Sequence, residues 1–444
     1  MKAIESVLTK ERLEYVRAKR AEAREAALSA VAESVGRDTA RALAELYGEF
    51  DERIYIFLAG LYDRDMGAFY YSGSARDTDI YLPDIESTAQ VLKFVKTTGM
   101  VNGGCTFIKG IPEFLRDSVT GFAYGLQDPD GYFYHPQWGK DISVSRRGRD
   151  LSWSKNILAE AGVSPKYPLP TAKRRDGEAA APVPEHLQSI GAFKKYLLEM
   201  KLSGESYYVG NVIESTLSEI TARGEEYGEA LLEWLNLGQR ADNGLWEKEI
   251  NYSSVNGLMK LSASYPHLKA QLPHAERSLE SAIFAALSDE RMKFVCEAYN
   301  PWAAIINIFK ASGYGSDGEL SELGGFLVEN APRLIDKTRE KISVFRKNNG
   351  SYSYFKRMSS AVSQRAPVAV PRTNEGDVNA TTICVGSTVR NMTAALSIPR
   401  APIFVPEDGE LFFELLACQP PIKKKFSISG GFPEKPSYEE EIAD

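Results

Sequence analysis

Apolar positions recur along this chain at helical rather than strand spacing, in pairs of segments separated by short turns rich in aromatic rings. Residues 10–48 read as one or two helices dominated by Ala, Glu, Arg and Leu, with Leu13, Val16, Ala23, Ala27 and Ala30 at helical spacing. Arg20 interrupts that stripe, which predicts shallow burial there. A following helix runs to about Leu61 and ends in the turn DRDMGAFYY. YLPDIESTAQVLKFVK then sets Ile85, Ala89, Leu92 and Val95 on one face behind Asp84 as the N-cap.

The order helix, aromatic turn, helix repeats. Residues 113–127 lead through DGYFYHPQW to GRDLSWSKNILAEAG, with Leu151, Ile157 and Leu158 apolar. Residues 186–203 lead through GESYYVG to NVIESTLSEITA, and 225–240 through NGLWEKEINY to SSVNGLMKLSASY. Residues 274–295 lead through EAYN to NPWAAIINIFKAS, where Pro301 is expected at the first helical position. Residues 320–347 lead through NNGSYSYF and a longer loop to EGDVNATTICVGSTVRNM. The second helices of the six pairs are thus expected near 84, 149, 211, 253, 300 and 377. Three of their starts overlay: DIEST at 84–88, VIEST at 212–216 and, more loosely, DVNAT at 377–381.

Four turns share Gly, one residue, then a ring: Gly67 with Phe69, Gly131 with Phe133, Gly244 with Trp246 and Gly350 with Tyr352. Glycine suits the tight backbone leaving a helix, and the ring can pack over the next pair. The pattern is that of a repeat protein whose unit is a helical hairpin. Residues 164–186 form a Pro-rich connector, and the tail after Arg400 is read as a short hairpin with an acidic end.

Composition narrows the function. The chain has 444 residues, 43% hydrophobic and 25% charged, enough for a sizeable core. Its 53 basic and 60 acidic residues give a net charge of −7, which argues against an electrostatic grip on nucleic acid. Four scattered cysteines, Cys105, Cys296, Cys384 and Cys418, suggest buried free thiols rather than zinc or disulfides. The charged N-terminal stretch lacks the apolar run of a signal peptide or membrane span, so a cytoplasmic protein with no membrane partner is expected. No GK[ST] loop, GxSxG elbow or HExxH occurs. No cofactor is expected; helix-end carboxylates serve equally as caps or as ligands of a divalent cation.

Six hairpins with Gly-x-aromatic turns resemble the α/α six-hairpin toroid superfamily. The resemblance covers roughly residues 40–395, leaving 1–39 as an N-terminal helical extension and 396–444 as a C-terminal appendage. It implies an all-α fold in which the second helices form an inner ring with their N-termini on one face. Six sets of unpaired N–H groups would bias that funnel positively and suit an anionic substrate. Asp84, Glu86, Glu214, Glu375 and Asp377 lie at the same ends and could cap them instead.

The superfamily includes polysaccharide lyases and glycoside hydrolases, and its turns are similar to those of terpene cyclases and protein prenyltransferases. Lyases of this kind take the proton α to a uronate carboxylate with Tyr or His. Some carry an Asp-Gly-x-aromatic-x-x-His turn; here His135 comes one position earlier. His135 stands beside Tyr134, Trp138 and a basic run including Arg146 and Arg149, a set suited to sugar stacking and carboxylate pairing. The alternative is a histidine fixed within a packed aromatic turn. Around later turns, Tyr252 is a second candidate base, with Asn211 or Asn256 as neutraliser and Trp246 beside them, although Asn at a helix start is commonly a cap. A hydrolase would pair Glu86 with Glu214 or Asp377. Asp77 and Asp79 resemble part of a class II terpene cyclase motif that Ile80 interrupts, and no DDxxD follows. The expected function is cleavage of an acidic oligosaccharide, with β-elimination preferred to hydrolysis, and a cyclase-like enzyme or binding scaffold as further alternatives.

Overall fold

A computed structural model describes residues 4–102, 108–172, 183–312 and 319–424, so Cys105, part of the Pro-rich connector and the acidic end lie outside the described residues. The N-terminal part holds α1 (Ile4–Val7), α2 (Lys10–Val35), α3 (Arg37–Gly48) and α4 (Arg53–Ala59). Gly36, at φ 100°, separates α2 from α3. A two-stranded antiparallel ladder, β1 (Tyr62–Asp63) with β2 (Ala68–Phe69), forms the first turn, followed by α5 (Gly73–Asp77) and α6 (Ile85–Thr98). The next pairs are α7 (Glu113–Gly125) with α8 (Val144–Ala161), and α9 (Ile190–Glu199) with α10 (Ser206–Thr221). Then come α11 (Glu225–Gly238) with α12 (Tyr252–Ser262), the short α13 (Ser264–His267), and α14 (Ala275–Leu287) with α15 (Cys296–Ala311). Finally α16 (Glu319–Glu329) and α17 (Ala331–Ser343) precede an antiparallel ladder, β3 (Val362–Ser363) with β4 (Ala366–Pro367). The last second helix is α18 (Val378–Thr382), a π-helical turn Ile383–Thr388 and α19 (Val389–Ala395), and α20 (Pro406–Cys418) closes the described chain.

The second helices pack on one another in sequence: α6 on α8, α8 on α10, α10 on α12, α12 on α15, and α15 on the π-helical turn and α19. The sixth also returns to the first, since α18 and the π-helical turn both contact α6. Among the first helices, α9 meets α11, α14 meets α16 and α17, and α17 meets α3. Small residues set the close approach of the second helices. A Cβ at Gly148 would run into the Ser215 carbonyl, and one at Gly257 into the Ser206 hydroxyl.

The repeated glycines have one conformational reason. Gly67, Gly131, Gly244 and Gly350 all adopt φ between 68° and 87°, the left-handed region that costs other residues steric strain. The ring two positions on, Phe69, Phe133, Trp246 or Tyr352, is buried in every case. The first and sixth copies share more. Asp84 and Asp377 each cap their helix, and the Phe69 and Tyr352 N–H groups donate to Thr88 and Thr381 Oγ1 at 2.9 and 3.0 Å.

Several expected boundaries shift. α8 begins at Val144 with Ser143 as cap, which puts Arg146 and Arg149 inside its first two turns. α10 begins at Ser206, so Glu214 lies two turns in and VIEST does not overlay DIEST. Pro301 is interior to α15 rather than first. The tail forms α20 instead of a hairpin. Arg20 is deeply buried, because Asp408 on α20 takes its Nη2 and Nε at 2.7 and 3.1 Å and Glu52 lies at 3.4 Å. Cys296 and Cys384 are buried free thiols and Cys418 is a half-buried one.

Candidate functional site

The start of α6 anchors a charged cluster. Asp84 Oδ1 accepts from the Glu86 and Ser87 N–H groups at 3.0 and 3.1 Å, and Oδ2 accepts from Ser87 Oγ at 2.6 Å. A carboxylate is favoured there by the helix dipole, and Glu86 adds a second one in the first turn. From α8, Arg146 and Arg149 stand three residues apart and reach the same region. Arg146, fully buried, places Nη2 2.8 Å from Asp84 and Nη1 3.2 Å from Glu86. Its Nε lies 2.9 Å from Asp150, an ion pair whose angles do not make a hydrogen bond. Arg149 places Nη1 2.6 Å from Glu86 Oε1 and Nη2 3.3 Å from Asn211 Oδ1 on α10. Ser363 Oγ, from the β3–β4 hairpin, donates to Glu86 Oε2 at 2.8 Å.

These partners fix the charge states. Burial alone would raise Glu86, but Arg149, Arg146 and the Ser363 hydroxyl overcome it and hold the carboxyl at about 2. Asp150 goes the other way, because burial outweighs Arg146 and pushes it up to about 7.

Further along the second helices the cluster becomes a ring of side chains from every pair. Lys260 Nζ on α12 lies 2.5 Å from Glu214 on α10. Burial raises Glu214, yet Lys260, Arg149 and Lys93 bring it below the ordinary glutamate value. Lys93 on α6 feels Arg390 on α19 as well as Glu214 and Lys260. Tyr299 on α15 bonds Asn391 and lies in the field of Arg390 and Glu214. Cys296 on α15 meets the Tyr354 and Tyr207 hydroxyls. Water reaches this ring although protein surrounds it: the Glu214 side chain is 35% exposed and Arg149 22%. With Arg146 set against Asp84, three cations, Arg149, Lys260 and Arg390, face two carboxylates, Glu86 and Glu214, so the cluster carries a cationic excess to which Lys93 adds only in its protonated form.

The structure therefore brings together Glu86, Arg146, Arg149, Asn211 and Glu214. The other sequence candidates sit elsewhere. His135 is buried, donating from Nε2 to the Pro83 carbonyl at 2.8 Å, while Nδ1 accepts the Gln137 N–H at 3.2 Å, so both nitrogens are used. Burial, against the pull of Asp84 and the Pro83 bond, lowers it to about 4. Trp138 stacks between it, at 4.2 Å, and the Arg146 guanidinium, at 4.8 Å. Tyr134 donates to Asp130 within its own turn. Tyr252 is buried against Lys341 and donates to the Ser288 carbonyl at 3.3 Å, and burial pushes its phenol up to about 12. Trp246 is core, its Nε1 bonded to the Leu235 carbonyl. Asn256 is buried between α12 and α15 and accepts from Asn300 at 2.7 Å. Asp377 accepts the Ala380 and Tyr354 N–H groups at 2.8 and 2.7 Å, and burial raises it to about 7.

Sequence reasoning missed Lys93, Lys260, Arg390, Tyr299 and Ser363. Lys93 in VLKFV and Lys260 in LMKLS carried a readable signal, a lone lysine within an apolar stretch of a second helix. Ser363 carried none, since only the fold of the long sixth loop brings it to Glu86. That hairpin has both turn residues, Gln364 and Arg365, at positive φ, and Arg365 lies over the exposed Tyr208 ring of α10 at 5.3 Å.

Among the described residues no three His, Cys, Asp or Glu side chains converge as metal ligands, and no helix is long and apolar enough to cross a membrane. Comparison with protein families, with curated proteins and with solved structures returns no match for the chain.

Proposed function

We propose that the six helix pairs close into an α/α toroid whose central chamber binds an acidic, uronate-containing oligosaccharide and cleaves it by β-elimination. The cationic excess of Arg149, Lys260 and Arg390 over Glu86 and Glu214 carries this reading. Arginine forks match carboxylates in two-point contact, and Glu86 and Asn211 orient the Arg149 fork from behind. His135, Trp138 and Arg146 act as positioning residues: His135 and Gln137 hold Pro83 and Leu82, Arg146 holds Asp84, and together they aim the start of α6 at α8.

Elimination is favoured over hydrolysis because inverting and retaining hydrolases need a carboxylic acid that stays protonated at the cleft. Glu86 and Glu214 are both shifted toward the ionised form, and Asp377, which burial raises to about 7, is fully buried and accepts the Ala380 and Tyr354 N–H groups. A cytoplasmic setting suits the free thiols. The test is incubation with a panel of uronate glycans while recording the absorbance of the unsaturated uronate. The reading predicts that the band grows. Cleavage without it would point to the hydrolase, and inertness toward every glycan to a cyclase-like enzyme or a binding scaffold.

A further inference from the structure

Lys93 is the member of the ring whose position no structural bond explains. Glu86 is held by two arginines and a serine, Arg149 by Glu86 and Asn211, and Lys260 by Glu214. Lys93 Nζ forms no hydrogen bond or ion pair with any described residue, although it stands in the third turn of α6 in the field of side chains from α10, α12 and α19. A lysine on a buried helix face ordinarily finds a carboxylate or carbonyl, as Lys341 does with the Ala285 and Ala286 carbonyls at 2.8 and 2.7 Å. An amine left without a partner in a water-reached site is free to meet a substrate.

We propose that Lys93 is the base of the elimination, taking the proton from the substrate carbon α to the carboxylate. This rests on the reading of the chamber as a lyase site. The substrate carboxylate sits on the neighbouring cations, which offset the charge that develops on it. Lys93 Nζ takes the α proton, the C–H pair becomes the new C=C bond, and the bond to the β oxygen breaks. The departing alkoxide takes back a proton from the Lys93 ammonium, so atoms and charges balance without a co-reactant.

The surroundings raise the share of the neutral amine this step needs. Burial, then Arg390 and Lys260, disfavour the ammonium more than Glu214 favours it, and lower Lys93 to about 8. Glu86 on the same helix is already neutralised by Arg146, Arg149 and Ser363, and Gln90 on that helix bonds the uncharged Asn379 of α18.

The test has two arms on the full-length protein. Brief reaction with cyanate across neutral to alkaline pH, followed by peptide mass spectrometry, should show Lys93 modification levelling off near pH 8, below the ordinary lysine range of about 10.4. Lys93→Ala should lower product formation on uronate glycans by at least ~100-fold, with added methylamine restoring part of it. Lys93→Arg keeps the charge and should be as slow, which serves if the alanine variant fails to fold. Modification of Lys93 that keeps rising into the ordinary lysine range would overturn the inference. So would Lys93→Arg activity within about threefold of the parent, with the lyase reading left standing. A parent protein that yields no unsaturated product overturns the lyase reading and the inference with it.

Discussion

Arg149 on α8 and Glu86 at the start of α6 meet with Nη1 2.6 Å from Oε1, and the second Nη of the same guanidinium reaches Asn211 on α10 at 3.3 Å. One side chain thus ties three consecutive second helices and still leaves about a fifth of its surface to water. Lysine at this position offers a point charge instead of a fork. Arg149→Lys is expected to weaken binding of an acidic oligosaccharide by roughly 10–100-fold, as for loss of a charged hydrogen bond, with the melting temperature nearly unchanged. Calorimetric titration of both proteins checks this.

Arg146 differs because it has no water contact and serves Asp84, Glu86 and Asp150 at once. Arg146→Met leaves those carboxyl groups buried without their counter-charge. A loss of about 3–5 kcal/mol in urea unfolding is expected, the usual cost of breaking a buried charge network.

His135 gives the pH dependence of stability. Its ordinary value near 6.5 falls to about 4 on folding, so between these values the unfolded chain binds more protons. The neutral ring stabilises the fold fully above pH 6.5, and that stability is lost as pH falls toward 4, about 3 kcal/mol in all. Unfolding measured across this window in the parent and in His135→Gln should show a shallower slope for the variant.

The turn glycines make a paired prediction. At Gly244 φ is 68° and a Cβ would meet the Ser278 backbone, so Gly244→Ala should destabilise by at least ~1–2 kcal/mol. Gly121 lies within α7 with nothing near its Cβ direction, so Gly121→Ala should stabilise by ~0.5–1 kcal/mol. Thermal melts of the two variants decide it.

Much of the fold was legible because its signals are local. The helical periods, the left-handed glycines and the Asp84 and Asp377 caps each depend on a few neighbouring residues. Other starts were misplaced, with a cap or without: α8 follows the Ser143 cap, whereas α10 follows Glu205, which makes no side-chain cap bond, and the tyrosines of GESYYVG resembled a turn. The site was legible only at Glu86, Arg146, Arg149, Asn211 and Glu214. His135 looked functional because histidine is rare here, yet its two ring nitrogens fasten backbone at Pro83 and Gln137. Lys93 and Lys260 went unread, since a lysine within an apolar stretch names no partner until the packing of α10 and α12 sets Lys260 2.5 Å from Glu214 and α6 brings Lys93 into the same field.

The central claim is that the cationic ring cleaves an acidic oligosaccharide by elimination, and the mass of the products tests it most directly. Incubation of a defined uronate oligosaccharide with the protein, followed by mass spectrometry, should give fragments from the reducing-end side of the cut, which carry the new unsaturated terminus, one water lighter than hydrolysis would produce. Fragments at the hydrolysis mass, or an oligosaccharide recovered intact, would contradict it.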